Sequence, residues 1–452
     1  MFAHPIPNIT ELIQSNNGQC PYKTWTIDTV EPDVHKDDIV EKCGYIVTWT
    51  NEHKVLKQIQ PLRIRGDPLI DNLLNCVSVS HNESTWIQWI QQQHKSIDTK
   101  YNAEQKDAIS ALLTHIHTVP DWVDYDRVKR GQSVFLRYCM PCLMSLFNLS
   151  LIGGVSAPKI NAVLVSTNYL SSTDTYAVYR RLMETTVYVV QLLQINSLHI
   201  NSIGWQNNVS VRFLHGQVRS RLMKRAGDKA WDIDTNGIPI NQADSATTLL
   251  AFSINVLLGL AKVGINLSES EKEDYIHLWR VCGYYLGVDD DVNPCTSYHD
   301  AEIAIGSYVM TSVQPDYSDT TPLLANTMID AIQKHHKVLS HAAARAPPIF
   351  HIYLARYMLG DYFADTLKLP SSTVTIQQHG ILLYLQYIRI KCMIPIMFMV
   401  FKLYGWIGSF ELFHDTICDY SLQYLLHWCE LHLAVDQQYK HKFTLQHDYT
   451  PH

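Results

Sequence analysis

The chain has 452 residues, of which 46% are hydrophobic and 17% charged, and its formal net charge at pH 7 is −7. This composition is typical of a globular protein with a large core and excludes a disordered chain. The acidic balance and the lack of a long basic stripe exclude nucleic acid as a partner, because phosphate backbones are bound by clustered cations. Ten cysteines are too few for a disulfide scaffold in a chain of this length.

The N-terminal residues Met1 to Pro7 contain neither a charged segment nor an apolar one, so the sequence predicts an intracellular protein without a secretory signal. Two apolar runs, Ala246 to Ala261 and Cys392 to Phe401, fall short of the ~18 to 20 uncharged apolar residues that a membrane-spanning helix needs. Both are better explained as buried helices. The second could also rest on a membrane surface.

The first 60 residues show little sustained periodicity. Tyr45 to Thr50 alternate between apolar and polar residues, and both a short strand and the approach to a helix remain open there. Asp67 followed by Pro68 is typical of a helix cap and the first helical residue. Helical spacing of apolar residues continues from there to Ile97, and it recurs from Asn102 to His117.

The same spacing predicts helices through the rest of the chain. Asn241, with Asp244 three residues later, is a plausible helix start, and Ala246 to Gly259 is apolar nearly all round, which indicates a central buried helix. Four later segments also have helical spacing: His299 to Met310, Leu323 to Leu339, Ile349 to Leu369 and Gln377 to Phe413. The sequence therefore predicts an all-α protein with one large helical domain.

Three residues near the middle of the chain share one helical face. Arg212, His215 and Arg219 stand at i, i+3 and i+7, which sets an imidazole between two guanidinium groups. A neutral imidazole can ligate haem iron, and arginines can pair with the two haem propionates. The alternative is a hydrogen-bonded core histidine beside a solvated basic face. Spacing alone favours this alternative.

Two motifs resemble one family. Val211 to Arg219 resembles the haem-ligand helix of the rubber oxygenase (latex-clearing protein) family, which includes endoplasmic-reticulum-bound oxygenases that shorten prenyl chains. Arg180 to Thr186 is similar to the distal-side helix of that family, and the separation between the motifs is the family's own. Ser150 to Gly154 and Tyr275 to Arg280 also match family segments in the same order. The resemblance implies that His215 is the proximal iron ligand and that Arg212 or Arg219 pairs with propionates.

The distal-side motif departs from the family at one position. Arg181 and Thr185 match the family's arginine and threonine, whereas position 184 is glutamate where the family has lysine, so a lysine-ligated resting state is not expected. The family's separate upstream glutamate has no counterpart between Val165 and Tyr169. We therefore expect Glu184 to act as the base beside Arg181 and Thr185. The alternative is a surface ion pair between Arg181 and Glu184.

The resemblance implies a catalytic core at residues 115–360, between an N-terminal extension at 1–114 and a C-terminal helical extension at 361–452. It implies a non-covalent haem b in a pocket between core helices, since no Cys-x-x-Cys-His motif is present. The expected reaction is O2-dependent cleavage of a C=C bond in an apolar, isoprenoid substrate. We expect a monomer, either cytoplasmic or peripherally attached to the endoplasmic reticulum.

Two other functions remain open at the level of sequence. One is a haem-binding protein without oxygenase activity, which the change at position 184 permits. The other is a cofactor-free helical interaction protein that keeps the same fold.

Overall fold

A computed structural model of the chain describes residues 34–42, 45–77, 100–168, 173–227, 230–314, 318–335, 349–371 and 376–408, with the short pieces 2–3, 23–24, 89, 92, 170–171, 417–418 and 420–425. Helices make up most of these residues, which confirms the predicted all-α class.

We number the helices of the described residues in chain order. They are α1 (Leu56–Ile59), α2 (Pro68–Cys76), α3 (Ala103–His117), α4 (Tyr125–Arg137), α5 (Cys139–Ser145), α6 (Ile152–Gly154), α7 (Pro158–Ser166), α8 (Thr175–Leu192), α9 (Ile203–Met223), α10 (Ile233–Asn236), α11 (Gln242–Phe252), α12 (Ile254–Lys262), α13 (Glu269–Tyr285), α14 (Tyr298–Ser312), α15 (Thr320–His335), α16 (Ile349–Leu359), α17 (Asp361–Thr366) and α18 (Ile376–Ile407). A 3₁₀ turn, Gln60–Ile64, follows α1, and a π-helical stretch, Leu146–Leu151, lies between α5 and α6.

A small sheet lies near the N-terminus. Its strands are β1 (Phe2–Ala3), β2 (Lys23–Thr24), β3 (Ile39–Lys42) and β4 (Tyr45–Thr48), in the order β1-β4-β3-β2. β3 pairs antiparallel with β4, and β2 is parallel to β3. The alternating segment is therefore a strand. Its Tyr45 ring meets Phe363 of α17 edge-on, 6.0 Å away between centroids, so the sheet packs on a helix from the other end of the chain.

The predicted helix starts at Asp67, Asn102 and Asn241 are confirmed. Each side chain accepts a hydrogen bond from the backbone N–H three residues later, at 3.5, 2.9 and 2.9 Å respectively. These bonds satisfy N–H groups that have no partner within the helix. α2 ends at Cys76, and the rest of the segment that was predicted helical up to Ile97 lies outside the described residues, apart from 89 and 92.

The pair α4 and α13 forms the centre of the fold. Gly131 lies directly on the backbone of Asp274, and a Cβ at position 131 would overlap its carbonyl oxygen. Asp274 also accepts hydrogen bonds from Arg127 Nε at 3.1 Å and from Arg130 Nε at 2.6 Å. Close backbone approach and two charge-assisted bonds therefore fix the relative position of these helices.

The apolar segment after Asn241 is a buried element, as predicted. α11 and α12 run end to end from Gln242 to Lys262 with a break at Ser253, and 72% of the apolar window in this stretch is buried. Among the described residues this stretch alone has the length and composition of a membrane span, with α4 and α5–α6 as a further bent pair that would pass together. Its burial is that of the core helix of a globular domain.

One contiguous hydrophobic core runs through the molecule, from Val40 in the sheet to Leu425 near the described C-terminal end. α3 passes without interruption through position 114, where the N-terminal extension was expected to end. The three-part division at 114 and 360 remains a prediction, while the single large helical domain is confirmed.

Candidate functional site

The two motifs that carry the predicted chemistry lie side by side on α8 and α9. Asp174 caps α8 by accepting from the N–H of Tyr176 at 2.9 Å. Between the helices, Tyr188 Oη donates to Asn208 Oδ1 at 2.8 Å, and Asn207 Nδ2 donates to Gln191 Oε1 at 2.7 Å. Since higher numbers on α8 meet lower numbers on α9, the two helices form an antiparallel hairpin.

The hairpin brings the predicted proximal and distal sides to the same end. Glu184 precedes Tyr188 by one turn and Gln191 by two, so it shares the face that α8 turns toward α9. At 1.5 Å per residue, Glu184 lies ~6 Å along the axis from Tyr188, and His215 lies ~10 Å along the axis from Asn208. Both displacements point away from the connecting loop. Glu184 and His215 therefore belong to one region of the hairpin.

The imidazole of His215 is partly buried on α9. Burial lowers its pKa to about 4, the charge of Arg219 lowers it further, and Asp67 opposes the shift. The ring is therefore neutral at pH 7, with a nitrogen lone pair available. A neutral imidazole is the form that ligates iron.

Arg212 and Arg219 point toward α2. Arg212 donates from Nε and Nη2 to the two carboxylate oxygens of Asp67, at 2.6 and 2.9 Å. Arg219 donates from Nε to Asp71 at 2.8 Å and from Nη1 to the carbonyl oxygen of Ile240 at 2.9 Å. Both arginines are at most 4% exposed. Their pairing with haem propionates stays a prediction, and in this structure carboxylates of α2 hold both groups.

Asp67 and Asp71 were missed as site residues in the sequence. Burial opposes ionisation of Asp67, but the charge and hydrogen bonds of Arg212 and the charge of Arg219 outweigh it and lower the pKa of the carboxyl. The sequence did contain a signal for this pairing. The two aspartates are four residues apart at the start of one helix and the two arginines are seven residues apart on another, so each pair shares a helix face. Only the tertiary structure shows that these faces meet.

Gly216 lies between the two arginines and makes their approach to α2 feasible. A Cβ at this position would overlap the side chain of Ile70 and reach to 3.0 Å from Leu74. Without a side chain, α9 can lie directly on α2. The residue after the predicted iron ligand thus fixes the helix that carries it.

The predicted distal residues are joined to the backbone and to one another. Arg181 donates from Nη1 to the carbonyl oxygen of Asn168 at 2.6 Å, and Thr185 Oγ1 donates to the carbonyl oxygen of Arg181 at 3.0 Å. Glu184 lies 3.7 Å from Nε of Arg180, a contact at i, i+4. Arg180 was not among the predicted site residues, and it contributes a cation beside the glutamate.

A small cleft of about 200 Å³ opens beside Arg212 and its partner Asp67, between α2, α3 and α13. Its lining includes His115 and Tyr284, whose rings stack 4.4 Å apart. Arg212 Nη1 and His115 Nε2 are buried there without a hydrogen-bond partner. The volume is below the ~300 to 1,000 Å³ of typical ligand pockets, so we do not assign the substrate to this cleft.

One residue of this region, His215, has the chemistry of a haem ligand. A porphyrin supplies four ligands to its iron, so a single neutral imidazole suffices from the protein, and His215 provides one. Within the part of the chain that the structure describes, no group of three or more His, Cys, Asp or Glu side chains could hold a metal ion. The arginines fit propionates less well, because Asp67 and Asp71 already occupy them.

Three comparisons with known proteins give matches to this chain. Residues 140–386, more than half of the chain, match the family described as ER-bound oxygenase mpaB/B'/Rubber oxygenase, catalytic domain. A rubber oxygenase of Streptomyces sp. (strain K30) is 32% identical over 90 residues, which are 20% of this chain. That match spans only 21% of the length of the curated relative.

A solved structure of latex clearing protein LCP in the closed state is similar with a TM-score of 0.46 and 16% identity, over 80% of this chain and 89% of that one. α8 and α9, with His215 and Glu184, lie inside the residues that match the family. The chain belongs to the ER-bound oxygenase and rubber oxygenase catalytic-domain family.

Proposed function

We propose that this protein is a haem b-dependent oxygenase that cleaves a C=C bond of an apolar, isoprenoid substrate with O2. The observation that supports this most is the α8–α9 hairpin, in which a neutral His215 and the carboxylate of Glu184 stand in the same region of two family-matched helices. The overall change is balanced: one C=C bond and one O2 give two carbonyl groups.

His215 would hold the cofactor as its proximal ligand. A bound haem would supply the iron that binds and activates O2. The position of His215 depends on α2, because Arg212 and Arg219 tie α9 to Asp67 and Asp71 on either side of it. Propionates would have to compete with these carboxylates or meet the remaining N–H groups of Arg212 Nη1.

Glu184 would act as the proton acceptor on the distal side. An ionised carboxylate can take a proton from an allylic carbon of the substrate and return it to that carbon once the C=C bond has been cleaved, so that two carbonyl groups form without net proton transfer. Arg180, 3.7 Å away, would hold this carboxylate in place. Arg181 and Thr185 would fix the backbone of the same turn through their bonds to the carbonyl oxygens of Asn168 and Arg181.

The first test is the visible spectrum of the purified protein after expression with a haem precursor. We expect a Soret band in the wild type, its loss or shift in His215→Ala, and a pyridine haemochrome typical of haem b. His115→Ala is a matched control, because His115 is also partly buried and its pKa is also lowered to about 4, by burial and by the charge of Arg212. A colourless wild type, or a band lost in the control instead, contradicts the proposal.

The departure at position 184 favours one second candidate, a haem-binding protein without oxygenase activity. This candidate predicts the same Soret band and the same loss in His215→Ala. It differs in that no O2 is consumed with any prenyl or polyisoprenoid substrate. Oxygen uptake by the holoprotein therefore separates the two functions.

A further inference from the structure

The C-terminal helix α18 packs one face on the protein. Ile394 is 1% exposed and Phe398 6% exposed, and the Phe398 ring lies 5.4 Å from that of Tyr357 on α16. Further along, a Cβ at Gly405 would overlap the Tyr138 ring, and one at Gly408 would lie 3.2 Å from Arg137. These positions recur at i, i+4, i+11 and i+14, so one side of the helix lies flat on the core.

The opposite face of α18 is apolar as well, and it is exposed. Its large side chains are 38 to 61% exposed and recur at i, i+3, i+11, i+14, i+15, i+18 and i+21. They are Leu385, Ile388, Ile396, Met399, Val400, Leu403 and Trp406, with the exposed Cys392 among them. We call these eight residues the outer face. It extends over ~30 Å at 1.5 Å per residue.

An outer face of this kind requires a cover. Solvated helix faces carry polar and charged residues, and a helix that is apolar all round is normally buried all round. Half-exposed side chains along this length leave an apolar patch on the order of several hundred Å², at the upper limit for monomeric soluble proteins. The sequence of α18 thus fits a helix that contacts the protein on one side and another apolar medium on the other.

The charges of α18 indicate which medium. In 32 residues the helix carries Arg389, Lys391 and Lys402, and it has neither Asp nor Glu. Since the whole chain carries −7 and α18 carries +3, the rest of the chain carries −10. A helix of net positive charge on an acidic protein is complementary to an anionic bilayer. A second copy on this face would bring two helices of the same net positive charge together.

Aromatic side chains near the C-terminal end of α18 support a lipid surface as the partner. Trp406 is 59% exposed on the outer face, and Tyr420 and Tyr424 are 66% and 47% exposed on the following segment. That segment is held against α18 by a hydrogen bond of 3.1 Å between Tyr404 Oη and Ser421 Oγ. Tryptophan and tyrosine are favoured at the level of lipid headgroups, where an apolar ring with a polar tip is well solvated.

We propose that the outer face of α18 docks the protein onto an anionic lipid surface. The helix lies in the interface with its inner face on the core, rather than crossing the bilayer. Nearly all of this surface lies beyond residue 386, outside the family match. The proposal goes beyond the proposed function and is independent of it, because lipid contact requires neither haem nor turnover.

Co-sedimentation with vesicles tests this docking. We expect the holoprotein to pellet with phosphatidylcholine vesicles that contain phosphatidylserine, less with phosphatidylcholine alone, and less as salt rises. The variant Ile396→Glu/Met399→Glu is expected to reduce binding by about tenfold or more, because two glutamates replace apolar contacts and repel the lipid. Leu323→Glu on α15 is the matched control, since Leu323 is 58% exposed outside α18 and should bind like the wild type.

Three results would overturn the proposal. They are a wild type that pellets with neither vesicle, a double variant that binds as well as the wild type, and light scattering that reveals a dimer which the double variant converts to a monomer. In the last case a second copy covers the outer face. Because the substituted side chains are exposed, unchanged thermal melting and an unchanged Soret band would separate these outcomes from misfolding and from failure of the proposed function.

A fluorescent label on Cys392 gives a second measurement. Among the described cysteines Cys392 alone is exposed, with Cys76 partly buried and the others buried. An environment-sensitive label that reacts in the wild type and not in Cys392→Ser should shift its emission to the blue on vesicles with phosphatidylserine. An unshifted spectrum would contradict the docking of this face.

Discussion

α9 and α18 depart from the usual burial pattern in opposite ways. α9 has charged side chains inside the protein, where Arg212 and Arg219 are at most 4% exposed, and α18 has apolar side chains outside it, where Met399 is 61% exposed. On α9 each buried arginine is paired with a carboxylate of α2, so its charge is compensated inside the protein. On the outer face of α18, Met399 and its apolar neighbours stay exposed to solvent. The difference indicates that α9 is built for internal positioning and α18 for an external contact.

The largest effect should follow from breaking the internal pairing on α9. Asp67→Ala leaves the Arg212 guanidinium buried without its carboxylate, and the free energy of unfolding should fall by about 3 to 5 kcal/mol. Urea denaturation measures this loss. Asp291→Ala is the control, because the Asp291 side chain is 65% exposed and its partner Arg65 keeps a second carboxylate, Asp289, and it should cost less than about 1 kcal/mol. Equal losses in the two variants would mean that burial does not distinguish the pairs.

A second buried carboxylate, Asp244, should make the stability of the protein depend on pH. Burial raises the pKa of Asp244 to about 6, although Arg63, 3.6 Å away, opposes the shift. The folded protein therefore binds a proton that the unfolded chain has released between pH ~4 and ~6. Stability should fall as pH rises through this window, by about 3 kcal/mol in total. Asp244→Asn should remove this dependence, and urea midpoints across the window would reveal a persisting slope if the assignment is wrong.

On the catalytic side, Glu184→Gln should keep the haem and lose turnover. Removing a proton acceptor lowers kcat by about 100-fold, or ~2.7 kcal/mol of transition-state stabilisation. Oxygen uptake and the Soret band of the same preparation would measure both properties. Asp330→Asn on α15, which changes an exposed carboxylate paired with Lys334, should leave both unchanged. Full turnover in Glu184→Gln would remove the assigned role.

The smallest effect concerns the close approach of α9 to α2. Gly216→Ala would force its methyl group into Ile70, with a loss of about 1 to 3 kcal/mol. The matched control is Gly154→Ala, because nothing lies within 4 Å of a Cβ there. Thermal melting should give a lower Tm for Gly216→Ala than for Gly154→Ala. If Gly216→Ala were neutral, α9 could move away from α2 without penalty, and the arginine contacts would not fix the helix.

Much of the local structure could be predicted from the residues. Asp67, Asn102 and Asn241 start helices because their short polar side chains accept from free N–H groups, and no distant contact is needed for this. The alternating residues from Tyr45 allowed two structures, since a short strand is stable only beside a partner, and β3 supplies it.

The candidate site was predictable in part for the same reason. Spacing along one helix indicated that Arg212, His215 and Arg219 are neighbours, and it could not indicate what faces them. Their partners on α2 are separated from them by more than 140 residues. Likewise, spacing gave Glu184 a choice of arginines one turn away, and the ion pair at Arg180 was not expected.

The sequence by itself determined the helical class, the helix starts and the family to which residues 140–386 belong, because each depends on residues close together in the chain. Only the tertiary structure decided that the arginines of α9 face α2, that Glu184 and His215 share one end of a hairpin, and that the described apolar residues on the outer face of α18 remain exposed. These properties depend on which helix faces pack together, and packing joins residues that are far apart in the chain.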